Sequence, residues 1–172
     1  MMGPPGVAGL RGGDDTDPKE SVLSELPATA LLRHEVPGES DHFDWLAELP
    51  LPPRPTTDPE ATVATFRLVR RLDRVPPGSS IAGERIDDHR RFYLTLEAPR
   101  ELSGGRGRVE PQCRGRVAAC CEVREGWDIE LEWDDSSKPL RRQRLRIEGE
   151  KGDRVRITAL EPRFPRLSEA ST

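Results

Sequence analysis

Two of the three histidines in the chain, His34 and His42, flank a Pro37-Gly38 pair, and Asp44 follows two residues after the second. Successive side chains of a strand alternate between faces, so on a strand His42 and Asp44 set an imidazole and a carboxylate side by side. Pro37-Gly38 reads as a turn between two strands. A hairpin centred on Gly38 places His34 directly opposite His42, with Cβ atoms about 5 Å apart on one face. Two imidazoles and a carboxylate converging in this way make a candidate divalent-metal site with positions left for water or substrate. The register decides it, because a slip of one residue sends His34 to the other face. The plain alternative is an exposed hairpin. The third histidine, His89, has Tyr93 four residues on, which a continuous strand would put on the same face. An imidazole with its pKa near neutrality can give or take a proton, and a phenol can donate to an anion. Arg70 and Arg85 are candidates for bidentate anion contacts.

These side chains need a sheet to hold them, and strands dominate the pattern. Thr29–Glu35 and His42–Leu49 read as the first two, followed by a Pro-rich connection over Pro50–Pro59. Residues 62–69 (TVATFRLV) are β-branched and alternating. Ile81–Ile86, Arg91–Glu97, Arg108–Glu110 and Gly115–Val123 read as further short strands, with a glycine-rich turn at Ser103–Gly107. Trp127–Trp133 puts Trp127, Ile129, Leu131 and Trp133 on one face, which marks that face as core. After a turn at Asp134–Pro139, Leu140–Glu148 and Arg154–Leu160 complete the series. No helix of three turns and no internal repeat is visible. Eight or nine short strands at regular spacing predict a mainly all-β fold, a small closed or nearly closed antiparallel β-barrel. Residues 1–27 are rich in Gly, Pro and Asp and read as a disordered tail, with a single helical turn at Ser21–Leu26. The barrel domain is expected over 28–162, with a C-terminal tail over 163–172.

The net charge of -4 is unevenly spread. Residues 1–60 carry 4 basic and 12 acidic side chains, against 23 and 19 over 61–172, so an anionic partner would meet the later part. Nearly all of the positive charge is arginine, whose planar fork suits phosphate better than lysine does. Arg106, Arg108, Arg114 and Arg116 can form a basic edge, although alternating Arg and Glu more often mark a solvated strand face. The cysteines Cys113, Cys120 and Cys121 make neither a closed disulfide set nor a Cys-x-x-Cys pair, which argues for reduced thiols and against a cysteine zinc site. No apolar run reaches the length of a membrane span and no signal peptide is visible, so a cytoplasmic protein without a membrane partner is expected.

Read in order, these motifs resemble the 3′-phosphoesterase module of bacterial DNA ligase D, which also occurs as free-standing small proteins. Its hallmark is a strand ending in His, a turn, and then His-Tyr-Asp-Phe-Arg-Leu-Glu. The matching text is Leu32-Arg33-His34, then His42-Phe43-Asp44-Trp45-Leu46-Ala47-Glu48. The family's aromatic strand, its Val-Glu-Asp-His-Pro-x-x-Tyr segment and its glycine-rich stretch correspond to Thr65–Leu68, Ile86–Tyr93 and Ser103–Val109. The likeness spans about residues 29–160, and all three histidines fall on the family's histidine positions. It implies a six- to eight-stranded barrel that trims DNA or RNA-containing 3′ ends during end joining, with manganese as the usual metal. It implies that His34, His42 and Asp44 ligate that metal, that His89 contacts the scissile phosphate and that Tyr93 supports it. Arg70 stands where the family has a phosphate-contacting Lys. A DNA ligase or another end-joining protein is the implied partner, beside the nucleic-acid end itself.

The chain also departs from the pattern. The turn between the two metal-site histidines is longer, and Leu46 stands where the family has an Arg that contacts phosphate. The family's N-terminal Arg-Asp…Glu-Pro segment has no clear counterpart, although Arg11, Asp14, Asp15 and Glu20 have the right chemistry. Two other readings therefore stand beside the phosphoesterase. One is a catalytically impaired barrel that binds nucleic-acid ends or a protein partner. The other is a non-haem iron oxygenase with His42, Asp44 and His89 as its facial triad.

Overall fold

The computed structural model describes residues 26–134 and 140–163. Nine strands form one antiparallel sheet: β1 (Ala28–Glu35), β2 (His42–Ala47), β3 (Ala61–Leu68), β4 (Ser80–Arg90), β5 (Arg100–Glu101), β6 (Arg108–Val123), β7 (Gly126–Trp133), β8 (Arg141–Gly149) and β9 (Arg154–Leu160). Their order is β1-β2-β3-β4-β9-β8-β7-β6, with β5 added at the end and β6 returning to pair with β1. The sheet thus closes nearly into a ring, the small antiparallel barrel that the strand spacing predicts.

Strand β6 makes the closure by changing partner along its length. Arg108–Arg116 lies on β1 and Gly115–Val123 lies on β7, so Gly115 and Arg116 are the residues that pair with both β1 and β7. A Cβ at Gly115 would stand 2.1 Å from the Glu132 carbonyl oxygen, so this crossing admits no side chain. The expected strands at 108–110 and 115–123 are therefore one strand, bent at irregularities beside Leu31 and Val117.

Two apolar clusters stabilise the sheet, one on each face. The barrel interior holds Leu31, Trp45, Phe66, Leu68, Ile129, Leu131, Trp133, Leu145 and Ile157, with Trp127 packed against them. The alternating face of β7 thus forms core, as its sequence predicts. The second cluster lies outside the ring, where Ala30, Leu32, Leu46, Val63 and Val109 are covered by Leu94 and Leu96. This cap explains why β1 to β3 bury residues on both faces at their centres. It also corrects the expected strand at Arg91–Glu97. Residues Arg91–Thr95 form a 3-10 helix, because Leu94 and Leu96 are drawn onto the outer cluster and no strand edge remains for them to pair with. Strand β4 is correspondingly longer than expected, reaching Arg90.

Pro50–Pro59 carries no strand or helix, as its prolines dictate. It is tied down by Arg54, which donates to the Arg85 carbonyl and pairs with Asp153 at 2.7 Å. All but the last residue of the helical turn expected at Ser21–Leu26, most of the N-terminal and C-terminal tails, and most of the turn at Asp134–Pro139 lie outside the described residues. No helix among the described residues is long and apolar enough to cross a membrane.

A candidate metal centre at the edge of the cap

The β1–β2 turn is centred on Gly38, whose φ of +81° a residue with a Cβ rarely adopts. This fixes the register His34↔His42, Arg33↔Phe43, Leu32↔Asp44. His34, His42 and Asp44 therefore share the outer face with Leu32 and Leu46. Across the sheet they form two neighbouring rows. One runs Val109–His34–His42, and the next runs Pro111–Leu32–Asp44–Arg67–Glu84. The cap buries the triad on one side, and an open groove meets it on the other.

The three side chains converge. The imidazole centroids are 4.8 Å apart, and one donor atom from each residue lies within 4.8 Å of the others. His34 Nδ1 is 3.1 Å from Asp44 Oδ2, and His42 Nε2 is 3.5 Å from Asp44 Oδ1. Asp44 is 2% exposed and His42 7%. His42 Nε2 and Asp44 Oδ1 are buried without a hydrogen-bond partner. Two orphaned polar atoms facing each other is a costly arrangement, since each has lost water and gained nothing in return.

The hydrogen bonds of His34 sharpen the point. Its Nε2 is 2.8 Å from the Arg106 carbonyl, which can only accept, so the ring proton sits on Nε2. In the neutral ring, Nδ1 then turns a lone pair towards a carboxylate oxygen. That contact is repulsive unless a proton or a metal cation lies between them. The hydrogen bond to Asp44 accordingly raises the His34 imidazole above its ordinary pKa. Burial lowers His42, and the charges of Arg67 and His34 add to this against the pull of Asp44. Two nitrogens and a carboxylate, with the far nitrogen of one ring held by a carbonyl, form a donor set that can hold a divalent metal ion.

The Arg106 carbonyl was not evident among the candidate residues, yet its cause is in the glycine-rich turn. Gly107 has a φ of +86°, and a Cβ there would stand 1.8 Å from the Glu35 carbonyl oxygen. Only glycine lets this turn lie flat on the end of β1 and bring the preceding carbonyl to His34. Nor does the sequence single out Arg67. It stands directly opposite Asp44, is exposed, and forms no ion pair among the described residues. Its place depends on a register set across the long Pro-rich connection, which no local spacing reveals.

The remaining candidates lie elsewhere. His89 is opposite Val63, four residues along β3 from Arg67, or about 13 Å along the strand. Its Nδ1 donates to the Asp87 carbonyl at 3.0 Å, and its ring meets that of Tyr93 edge-on with centroids 5.7 Å apart. The two rings meet because the 3-10 helix folds Tyr93 back, not because a strand continues between them. Arg70 donates to the Ser80 carbonyl at 3.0 Å, beyond the end of β3. Arg85 is held by Asp88 at 2.5 Å and lies over the Phe66 ring. The anticipated basic edge is engaged internally: Arg116 pairs with Glu132, and Arg114 donates to the Leu96 carbonyl. Cys113 is half-buried and desolvation pushes its thiol up to about 12, while the same cause pushes Cys120 up to about 11, which makes both poor nucleophiles. No family model and no curated protein matches the chain.

Proposed function

We propose that this protein is a metal-dependent phosphoesterase that processes 3′ ends of nucleic acid, removing a 3′-phosphate or a 3′-ribonucleotide in DNA end joining. The observation that carries the reading is the His34–His42–Asp44 cluster, with its orphaned Nε2 and Oδ1 atoms, at the positions where the chain resembles the ligase D phosphoesterase module. A bound divalent ion, manganese in the resembling family, supplies Lewis-acid stabilisation of charge developing on a phosphoryl oxygen. The chain's own residues do the rest. Asp44 and the two imidazoles hold the ion, and the Arg106 carbonyl keeps the His34 proton on the far nitrogen. The resemblance gives the scissile phosphate to His89, but His89 and the Tyr93 ring against it stand about 13 Å along the sheet from the Asp44–Arg67 row, so they would meet a more distant part of the nucleic acid. Arg70 keeps free N–H groups for a phosphate oxygen beyond the one it donates to Ser80.

A second reading has one observation in its favour. Leu46 is fully buried beneath the cap, so no phosphate contact is available at the position where the resembling family has Arg. A barrel that binds nucleic-acid ends without turnover fits that loss. The two readings are separated with a primer–template carrying a 3′-phosphate or a single 3′-ribonucleotide, incubated with manganese beside a His42→Ala control. Dephosphorylation or shortening that the control lacks supports the enzyme. Metal-dependent binding without product supports the binding protein. Neither product nor metal binding removes the site assignment.

A further inference from the structure

The groove on the open side of the triad is lined by His42, Arg67, Val69, Gly83, Glu84, Lys151 and Arg154, among others, and encloses about 880 Å³. Its acids are partly spoken for. Asp41 pairs with Arg33, Asp153 with Arg54 and Glu150 with Arg156. That leaves Arg67, Lys151 and Arg154 facing Glu39 and Glu84, and none of these five forms an ion pair among the described residues. The free charge of the groove is therefore net positive, and Arg67 is the member of it that stands opposite Asp44. The other large cavity also holds unpaired arginines among the described residues, Arg74 and Arg163, beside Arg141, Arg142 and Arg144 that are committed to Asp73, Glu132 and Glu130, but no residue of the triad lines it.

We infer that Arg67 is the residue that grips the phosphate beside the metal centre, taking over on β3 the contact that Leu46 cannot make on β2. The inference rests on the phosphoesterase reading and names the substrate contact of that site. An arginine fork next to a metal-binding carboxylate can hold two oxygens of one phosphate while the third faces the triad. Its neighbour Glu84, directly across β4, opposes any anion there and so limits the grip. Lys151 and Arg154 lie further along the groove, where the next phosphate of a strand would run.

The test is binding in EDTA, so that it does not depend on the loaded enzyme. Fluorescence anisotropy would measure the affinity for a short single strand ending in a 3′-phosphate or in a 3′-hydroxyl. Arg67→Gln is expected to weaken the 3′-phosphate strand about tenfold. The salt dependence should fall by roughly the 0.7 log unit per phosphate contact of a single strand. Arg67→Lys should recover part of the affinity, and Glu84→Gln should tighten binding. Manganese affinity, measured by calorimetry, should not fall in Arg67→Gln, because a positive charge near the ion has been removed. A wild-type preference for the 3′-phosphate that survives Arg67→Gln overturns the role of Arg67 alone. No preference in the wild type overturns the phosphoesterase reading as well. A parallel loss of manganese affinity marks Arg67 as a structural support and also overturns the inference.

Discussion

Asp44→Asn tests the proposed metal centre separately from the fold. In the metal-free protein the carboxylate is buried, with Oδ2 bonded to His34 and Oδ1 without a partner. The orphaned oxygen costs about 1–3 kcal/mol, while the bond to His34, made when that ring carries a proton on both nitrogens, contributes about 1.5–3 kcal/mol. The terms nearly cancel, so the isosteric amide should leave metal-free stability within about 1 kcal/mol of wild type. Metal reverses the balance. At one hundred times its dissociation constant, an ion bound only by the folded state adds about 2.7 kcal/mol. For a domain of this size about 4 °C accompanies each kcal/mol, so the melting temperature should rise by roughly 10 °C. A neutral amide oxygen facing two imidazoles is a far weaker ligand set, and Asp44→Asn should show little of that rise. The assay is a thermal melt at pH 7.5 in EDTA and across a manganese series, for both proteins. Equal rises in the two would place the stabilising ion elsewhere. No rise in the wild type at millimolar metal would refute the reasoning from the orphaned atoms. A variant that is several kcal/mol less stable in EDTA would show that the carboxylate is there for the fold.

Gly107→Ala should destabilise the protein by more than about 1 kcal/mol in urea, because the residue is left-handed and its Cβ meets the Glu35 backbone. It should also weaken manganese binding by displacing the Arg106 carbonyl from His34, which calorimetry would detect. Glu132, buried between Arg116 and Arg142, has its carboxyl held below the ordinary value, first by its bond to Arg116. A depressed carboxylate stabilises the fold above its unfolded pKa of about 4.5, and this is lost as pH falls through the lower folded value. Glu132→Gln should therefore flatten the acid limb of a stability–pH curve and cost about 1–2 kcal/mol at neutral pH, the exposed arginines being screened by solvent. Thr29→Val leaves the buried Trp45 indole N–H without its acceptor, which chemical denaturation should register as a loss of about 1–3 kcal/mol.

Why some of this could be read from the chain and some could not follows from the range of each constraint. The His34↔His42 pairing was readable because one tight turn fixes it: Pro37-Gly38 supplies the bend, and counting outwards from Gly38 gives every partner on β2. The core face of β7 was readable because a strand of strict period two declares its own inside. Arg91–Leu96 was not, because its alternation matches a strand while its apolar residues answer to a cluster outside the ring. The single long β6 was hidden by Pro111 and by Gly115, residues that usually end a strand and here permit one to change partners. Arg67 and the Arg106 carbonyl depend on registers set across long connections, so neither could be found by spacing.

The outer cap links these features. For the proposed metal site, a dry side would strengthen the field of the carboxylate and a wet side would admit a substrate. Leu32, Leu46 and Val109, under Leu94 and Leu96, provide the first for Asp44 and the two imidazoles. The groove running from His42 past Arg67 provides the second. An arginine at position 46 would carry its charge into the apolar cluster, and that desolvation would be uncompensated there. On the neighbouring strand the same guanidinium clears the cap, stays hydrated and still faces Asp44. The leucine at 46 and the arginine at 67 thus follow one rule of hydration, the apolar side chain standing where this face of the sheet is dry and the charge where it is wet.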